Sequence, residues 1–228
     1  MTPPNLQNDE LETPLRALRK NGFCVIVGGI PSAKMPDFTV AYDRAVENAT
    51  VENTHKGRSS TRVEGMLDAE AIFAALYKRE ILHAASRQVI GGPFKLSCFH
   101  ARTLHRQCEV GDFHIDFRPD ERPFPLLSFI YMIDEFSERN GATRFVAGSQ
   151  HRNDPPSPAE QAECIEQSVP ACGPAGSVII FDGRVWHAHG ANSSSVERRS
   201  LQGSFIPAVQ ISAVEVDNPR FSPNRAGV

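Results

Sequence analysis

The chain has 228 residues, of which 40% are hydrophobic and 22% charged, and its formal charge is −3. This near-neutral charge excludes the general basic surface that binds nucleic acids or anionic membranes. No apolar run approaches the roughly 20 residues of a membrane span, and the polar, acidic start of the chain does not resemble a secretory signal. We therefore expect a cytoplasmic protein whose partner is neither nucleic acid nor membrane.

Cysteine and histidine counts narrow the chemistry. The five cysteines contain no CxxC pair, and an odd number leaves one over, so the pattern favours reduced thiols over a disulfide framework or a structural zinc site. The eight histidines are more informative, because histidine is the commonest metal ligand and general base. The question is which of them are placed for chemistry.

The first 92 residues are predicted to be mainly helical. Apolar residues at helical spacing indicate helices over 9–20, 35–47 and 68–89, and the run 23–29 reads as a short buried strand. Between the helices, residues 51–65 are polar and are predicted to form a loop. That loop is either a surface connection or a lid over a site.

From about residue 94 the pattern changes to short strands separated by turns, which is typical of a sandwich or barrel. A single domain over 1–228 is the simplest organisation, with 1–92 as helical support and 93–210 as the β core. The predicted strands are 94–103, 125–133, 177–181 and 201–206.

A candidate metal site begins at His114 and Asp116. On a strand these two side chains point to the same face, so they can ligate one metal ion. A third ligand can follow the apolar strand 177–181, where His187 and His189 are both available. Two histidines and one carboxylate leave further positions open, as in non-haem Fe(II) oxygenases.

A candidate carboxylate receptor lies eleven residues after His187. If Arg198 starts a strand, Ser200 shares its face. A guanidinium and a hydroxyl together bind a carboxylate well. Such a receptor would anchor the far end of 2-oxoglutarate, a dicarboxylic keto acid whose other end chelates the metal.

Taken together, these motifs resemble the phytanoyl-CoA dioxygenase family of Fe(II)- and 2-oxoglutarate-dependent oxygenases. The resemblance rests on His-x-Asp at 114–116, on segments 140–149 and 186–192, and on Arg-x-Ser at 198–200. It covers roughly residues 105–206 in matching order and spacing. The chain departs from the family at 147–151, where Ala-Gly-Ser-Gln-His stands in place of the usual Pro-Gly-Ser-His.

The resemblance implies a mainly β fold with flanking helices: a double-stranded β-helix, or cupin-like jelly roll, with the N-terminal helices packed on it. It implies that His114, Asp116 and His187 ligate iron, since the family spacing selects His187 over His189. It also implies that Arg198, assisted by Ser200, binds 2-oxoglutarate. O2 is the second cosubstrate, and the products are succinate, CO2 and a small molecule hydroxylated at a C–H bond.

Arg118 is a weaker candidate for binding substrate. It continues the face of His114 and Asp116, so it could meet an anionic group, although Asp120 or Glu121 could simply pair with it. Two other functions remain open at this point. One is a jelly-roll metalloenzyme that does not use 2-oxoglutarate, and the other is a non-catalytic jelly roll that binds small molecules.

Overall fold

The computed structural model describes residues 6–117, 124–152 and 154–209. The helices of these residues are concentrated in the N-terminal part, as predicted. No helix in the described ranges is long and apolar enough to cross a membrane. The helices are α1 (Leu6–Asn21), α2 (Met35–Glu47), α3 (Met66–Ala69), α4 (Ala74–Tyr77), α5 (Glu80–Ile90) and α6 (Gln161–Gln167).

Strands occupy most of the remaining described chain, and all their recorded pairings are antiparallel. The strands are β1 (Phe23–Ile26), β2 (Thr54–Lys56), β3 (Ser60–Val63), β4 (Phe94–Leu104), β5 (Leu127–Met132), β6 (Thr143–Phe145), β7 (Val169–Pro170), β8 (Val178–Asp182), β9 (His187–His189) and β10 (Arg198–Pro207).

These strands form two sheets. The larger has the order β1-β8-β5-β10-β4-β3-β2, and the smaller has the order β7-β6-β9. Ile130 and Met132 of β5 pack in one apolar cluster with Phe145 of β6, so the two sheets face each other. Two facing antiparallel sheets with helices outside them are the jelly roll that the sequence predicted.

The larger sheet is covered on both faces, which explains why β5 is buried along its whole length. Leu127, Phe129 and Tyr131 point to the helices, whereas Ile130 and Met132 point to the smaller sheet. Side chains alternate along a strand, so a strand between two apolar layers is apolar at nearly every position. The cavity that holds the candidate site lies on the side of the smaller sheet.

Phe73 joins the helical layer to the larger sheet, and it gives a test of this packing. Its fully buried ring contacts Phe38 of α2 and Phe99 of β4, at centroid distances of 6.1 and 6.3 Å. Phe73→Ala is expected to lower the free energy of unfolding by about 3–5 kcal/mol, because a large cavity would remain. Urea denaturation measures this loss. Val40→Ala, at a position 55% exposed, is the control and is expected to change stability little.

The polar segment 51–65 is not the loop that the sequence predicted. It contains β2 and β3, which pair as a hairpin, and β3 pairs in turn with β4. The polar composition concealed the hairpin, because these strands lie at the sheet edge and bury few of their side chains. An edge strand needs only one backbone partner; β2 is the edge strand, and β3 supplies that partner.

The predicted helix over 68–89 is interrupted. The backbone is extended at Glu70 and at Arg79, so three helices, α3, α4 and α5, replace one. Glu70 forms an ion pair with Arg44 of α2 at 3.3 Å, a contact that helical periodicity does not reveal. Leu76 and Leu82 are nevertheless buried.

Candidate active site

His114 and His187 are held together by their backbones. The amide of His114 donates to the carbonyl of His187 at 3.0 Å, and the amide of His187 donates back at 3.1 Å. The chain around His114 forms this isolated bridge rather than a regular strand, but its side chains alternate as predicted. Phe113 and Ile115 are buried in the apolar cluster beneath the bridge, on the face away from His114.

Both imidazoles are oriented in the same way. His114 Nδ1 donates to the carbonyl of Asp112 at 2.9 Å, and His187 Nδ1 donates to the carbonyl of Val185 at 2.8 Å. A carbonyl can only accept, so the proton of each neutral ring is on Nδ1. Each Nε2 is thereby left with a lone pair, as a metal ligand requires.

Asp116 lies beside the two histidines and is fixed by several bonds. Its amide donates to the carbonyl of Gly183 at 2.8 Å, and Ser128 Oγ donates to its Oδ2 at 2.5 Å. Its Oδ1 lies 3.3 Å from His187 Nε2. Burial raises the pKa of Asp116, but His187, His114 and the Ser128 hydroxyl outweigh burial and hold that pKa at about 2.

The three side chains fit a divalent metal. One ligand atom from each of His114, Asp116 and His187 can be chosen so that all lie within 4.8 Å of one another. Two imidazole nitrogens and one carboxylate oxygen suit non-haem Fe(II) better than a structural zinc site, which is usually rich in thiolates. The rings of Phe145 and Phe181 flank His187, with centroids 5.7 and 4.8 Å from its ring.

Arg198 fits a carboxylate. It is only 2% exposed, and its Nε and Nη1 atoms have no hydrogen-bond partner among the described residues. Its guanidinium stacks on Phe136 at 3.7 Å. Burial, followed by the positive charge of Arg102, lowers the pKa of Arg198 to about 9. Burying an unpaired charge is costly, so this side chain is arranged for an anionic ligand.

One cavity of about 270 Å³ connects the two groups. The candidate metal ligands lie on its wall together with Arg198, and Ser128 lies beside Asp116. Thr143, Ile130 and Phe181 are also part of the lining. A ligand with two functional groups could therefore reach the candidate metal site and the guanidinium from within a single cavity.

Two predicted site residues, Ser200 and Arg118, are not among the described residues that line the cavity. Ser200 is buried, but its hydroxyl donates to the carbonyl of Arg102 at 3.1 Å, and it is not among the described residues that line the cavity. Its role toward 2-oxoglutarate stays a prediction. Arg118 lies outside the described residues, so its proposed substrate contact is not placed by the structure.

Arg199 and His189, which lie close in sequence to predicted site residues, point in the directions that strand alternation predicts. Arg199 points away from the cavity, where it forms ion pairs with Asp134 and Asp43, both at 2.7 Å. His189 lines the cavity, and its Nε2 accepts a hydrogen bond from the hydroxyl of Ser59 at 2.9 Å. Its Nδ1 donates to the carbonyl of Gly190, and the bond from Ser59 connects His189 to the hairpin of β2 and β3.

Several residues of the cavity were not predicted from the sequence. Ser128 is the polar residue of an otherwise largely apolar strand, which is a signal that could have drawn attention to it. His100 and Arg102 lie two residues apart on β4, so their side chains share a face, and both line the cavity. His100 is only 8% exposed and borders the candidate site.

Gln161 was also not predicted as a site residue, although its side chain binds the backbone of Phe113, the residue before His114. Its Oε1 accepts from the amide of Phe113 at 2.8 Å, and its Nε2 donates to the carbonyl of Phe113 at 3.0 Å. The side chain thus acts on Phe113 as a neighbouring strand would. No backbone pattern points to such a contact between positions 48 residues apart.

Removing this clamp, the two hydrogen bonds between Gln161 and the backbone of Phe113, tests whether it holds the segment before His114. Gln161→Ala is expected to weaken metal affinity about tenfold, since outer-shell groups orient the ligands they support. It should also speed hydrogen exchange at the Phe113 amide in the metal-free protein. Gln167→Ala, on the exposed side of the same helix, is the matched control and should change neither. Unchanged exchange at Phe113 in the Gln161 variant would show that the clamp does not hold this segment.

Comparison with known proteins agrees with this geometry. A multifunctional dioxygenase, ausE of Aspergillus calidoustus, is 27% identical over 232 residues, which cover 90% of this chain and 77% of that protein. The dioxygenase trt7 of Aspergillus terreus is 35% identical over 141 residues, which cover 61% of this chain and 45% of that protein.

Two solved structures share the fold. The epimerase SnoN, in complex with Fe3+, alpha ketoglutarate and nogalamycin RO, superposes with a TM-score of 0.72 at 18% identity over 88% of this chain and 85% of that chain. HygX from Streptomyces hygroscopicus, with nickel, 2-oxoglutarate and hygromycin B bound, gives 0.67 at 16% identity over 86% of each chain.

The family model for phytanoyl-CoA dioxygenase matches residues 18–200, which is most of the chain. The match confirms the resemblance that the motifs carried. With the relatives named above, it also confirms the predicted enzyme class, a dioxygenase that depends on Fe(II) and 2-oxoglutarate. The chain therefore belongs to the phytanoyl-CoA dioxygenase family.

Proposed function

We propose that His114, Asp116 and His187 hold the Fe(II) of this dioxygenase, that Arg198 binds the remote carboxylate of 2-oxoglutarate, and that the enzyme hydroxylates a C–H bond of a small molecule. When bound, iron, 2-oxoglutarate and O2 supply the oxidising power, and succinate and CO2 are released. The carboxylate of Asp116 occupies a position that a halide would otherwise need, which favours oxygenation over halogenation.

One observation carries this proposal. The buried guanidinium of Arg198 has two nitrogens without a described partner, and it borders the same cavity as the histidine and aspartate cluster. A metalloenzyme that does not use 2-oxoglutarate would have no need for a desolvated, unpaired cation in the same cavity as its metal ligands. A purely structural arginine would be expected to pair, as Arg199 does with Asp134.

The protein groups around the site would each have a defined task. The carbonyls of Asp112 and Val185 keep the Nε2 atoms of His114 and His187 free of protons. Ser128 holds Oδ2 of Asp116, so its Oδ1 is left to face the metal position. A prearranged set of ligands lowers the cost of ordering them when the metal binds.

A small molecule suits the cavity. Its aromatic and aliphatic lining includes Phe117, Phe124 and Leu126, which can exclude water from the reacting C–H bond. The structural neighbours SnoN and HygX were solved with nogalamycin RO and hygromycin B, respectively. Those ligands belong to the neighbours, and they support the substrate class rather than a particular substrate.

The test is a substrate panel scored by succinate. Purified protein with Fe(II), 2-oxoglutarate and O2 is incubated with amino acids, acyl compounds and secondary-metabolite scaffolds. We expect at least one compound to raise succinate formation above the substrate-free rate and to gain one oxygen atom by mass spectrometry. Oxidation of a substrate without succinate formation would contradict the assignment of Arg198 to 2-oxoglutarate.

A further inference from the structure

The cavity is more basic than binding of iron and 2-oxoglutarate requires. Its described lining carries guanidinium groups on Arg62, Arg102 and Arg198, and a single carboxylate, on Asp116. Arg62 forms an ion pair with Glu64, which neutralises it. The formal charges of Fe(II) and a 2-oxoglutarate dianion cancel each other. Of the remaining charged lining residues, Arg102 and Arg198 are positive and Asp116 is negative, which leaves a surplus of one positive charge in the cavity.

Arg102 is held in place but not neutralised. It lies on β4, directly opposite Arg62 of β3 and Ser200 of β10. Its Nε donates to the hydroxyl of Ser60 at 3.2 Å, and within the described part of the chain no ion pair joins it to a carboxylate. The guanidinium thus keeps its other donors for a ligand in the cavity.

A second polar group lies next to Arg102 on the same strand. The Nδ1 atom of His100 is buried and has no hydrogen-bond partner among the described residues. Burial and the nearby guanidinium groups of Arg62 and Arg102 lower the pKa of His100 well below its usual range, so the ring is neutral. A neutral imidazole beside a cation can donate or accept a further hydrogen bond.

The rest of the lining has a different character. Phe117, Phe124 and Leu126 form an apolar part of the wall. A ligand that satisfied both parts would have an apolar body and one anionic group. A carboxylate matches the forked donors of a guanidinium and can also accept from an imidazole.

We propose that Arg102, with His100 beside it, binds a carboxylate of the substrate, and that the substrate is therefore an acid with an apolar skeleton. This inference rests on the proposed function, since it assumes that iron and 2-oxoglutarate occupy the same cavity. Arg102 is thus a specificity-determining residue, and Arg198 serves the cosubstrate.

The test measures binding without turnover. The protein is loaded with Zn(II), which is redox-inert, and saturated with 2-oxoglutarate. Phenylacetate, cinnamate, hexanoate and octanoate are then titrated against their primary amides by saturation-transfer NMR. We expect the best-bound acid to bind about tenfold more tightly than its amide, because a charge-assisted pair replaces a neutral contact. In Arg102→Met this preference should fall to about one.

Variants of Arg102 and Arg198 distinguish whether Arg102 binds a carboxylate of the substrate or a carboxylate of 2-oxoglutarate. Affinity for 2-oxoglutarate should stay within about twofold in Arg102→Met but fall strongly in Arg198→Met. Arg102→Lys should keep part of the preference for acids, because it keeps the charge. Arg106→Gln, at an exposed position beside a separate surface cleft, is the control and should leave both affinities unchanged.

Three results would overturn the inference. One is that no acid binds better than its amide to the wild-type protein. The second is that Arg102→Met keeps the acid preference. The third is that this variant loses 2-oxoglutarate affinity as severely as Arg198→Met, which would assign Arg102 to the cosubstrate. Failure of the proposed function itself is recognised earlier, because the Zn(II)-loaded wild-type protein would then not bind 2-oxoglutarate before any acid is added.

Discussion

Replacing Asp116 by alanine is expected to weaken Fe(II) binding by about 10² to 10³-fold, because the metal ion loses the carboxylate that balances its charge. Imidazole ligands carry no negative charge, so none would be left to balance the metal. Anaerobic titration with Fe(II) measures the affinity. In the wild-type protein, addition of Fe(II) and 2-oxoglutarate without O2 should produce a weak visible charge-transfer band, and the variant should lack it.

Asp112→Ala is the matched control for this experiment. Asp112 is exposed, and only its backbone carbonyl takes part in the site, by accepting from His114 Nδ1. Alanine keeps that carbonyl, so both metal affinity and the visible band should survive. A wild-type band in the Asp116 variant would show that this carboxylate is not a ligand.

Replacing Arg198 by methionine is expected to raise the concentration of 2-oxoglutarate needed for half-maximal succinate formation by about 10²-fold, since a buried charge-assisted pair is lost. The requirement for iron should change much less. Stability should be maintained or should rise, because the substitution removes a buried cation whose Nε and Nη1 atoms have no described partner. A thermal unfolding curve without ligands tests that second expectation.

Replacement of the neighbouring Arg199 is expected to have the opposite effects on stability and on the 2-oxoglutarate requirement. Arg199→Met would break the ion pairs with Asp134 and Asp43, so it is expected to lower stability and leave the 2-oxoglutarate requirement unchanged. If Arg198→Met instead destabilised the protein and altered the needs for iron and 2-oxoglutarate equally, Arg198 would be a structural residue.

Local alternation explains how much of the site could be predicted from the sequence. Residues two apart on an extended chain share a face, and the structure accordingly places His114 and Asp116 on the cavity and Phe113 on the opposite side. The same rule separates Arg198 from Arg199. The jelly roll followed from the many short strands together with the family motifs.

What the sequence did not reveal depends on register between distant segments. Arg102 borders the cavity because β4 pairs with β10 and β3 in one particular alignment. Ser128 contacts Asp116 because β5 pairs with β8 and the amide of Asp116 is hydrogen-bonded to Gly183, just after β8. Neither alignment leaves a periodic signal, since each is set by the packing of whole sheets. The hairpin of β2 and β3 was missed for the related reason that an edge strand need not be apolar.

The backbone pair between His114 and His187 also constrains which changes of length the protein can accept. Adding or deleting one residue just before His114 would shift the alternation by one position. Phe113 or Ile115 would then face the cavity, and the histidine would be driven into an apolar cluster. Divergence in this segment should therefore proceed by substitution rather than by insertion or deletion. The number of residues between the bridge and the next sheet contact therefore helps to position the candidate metal ligands.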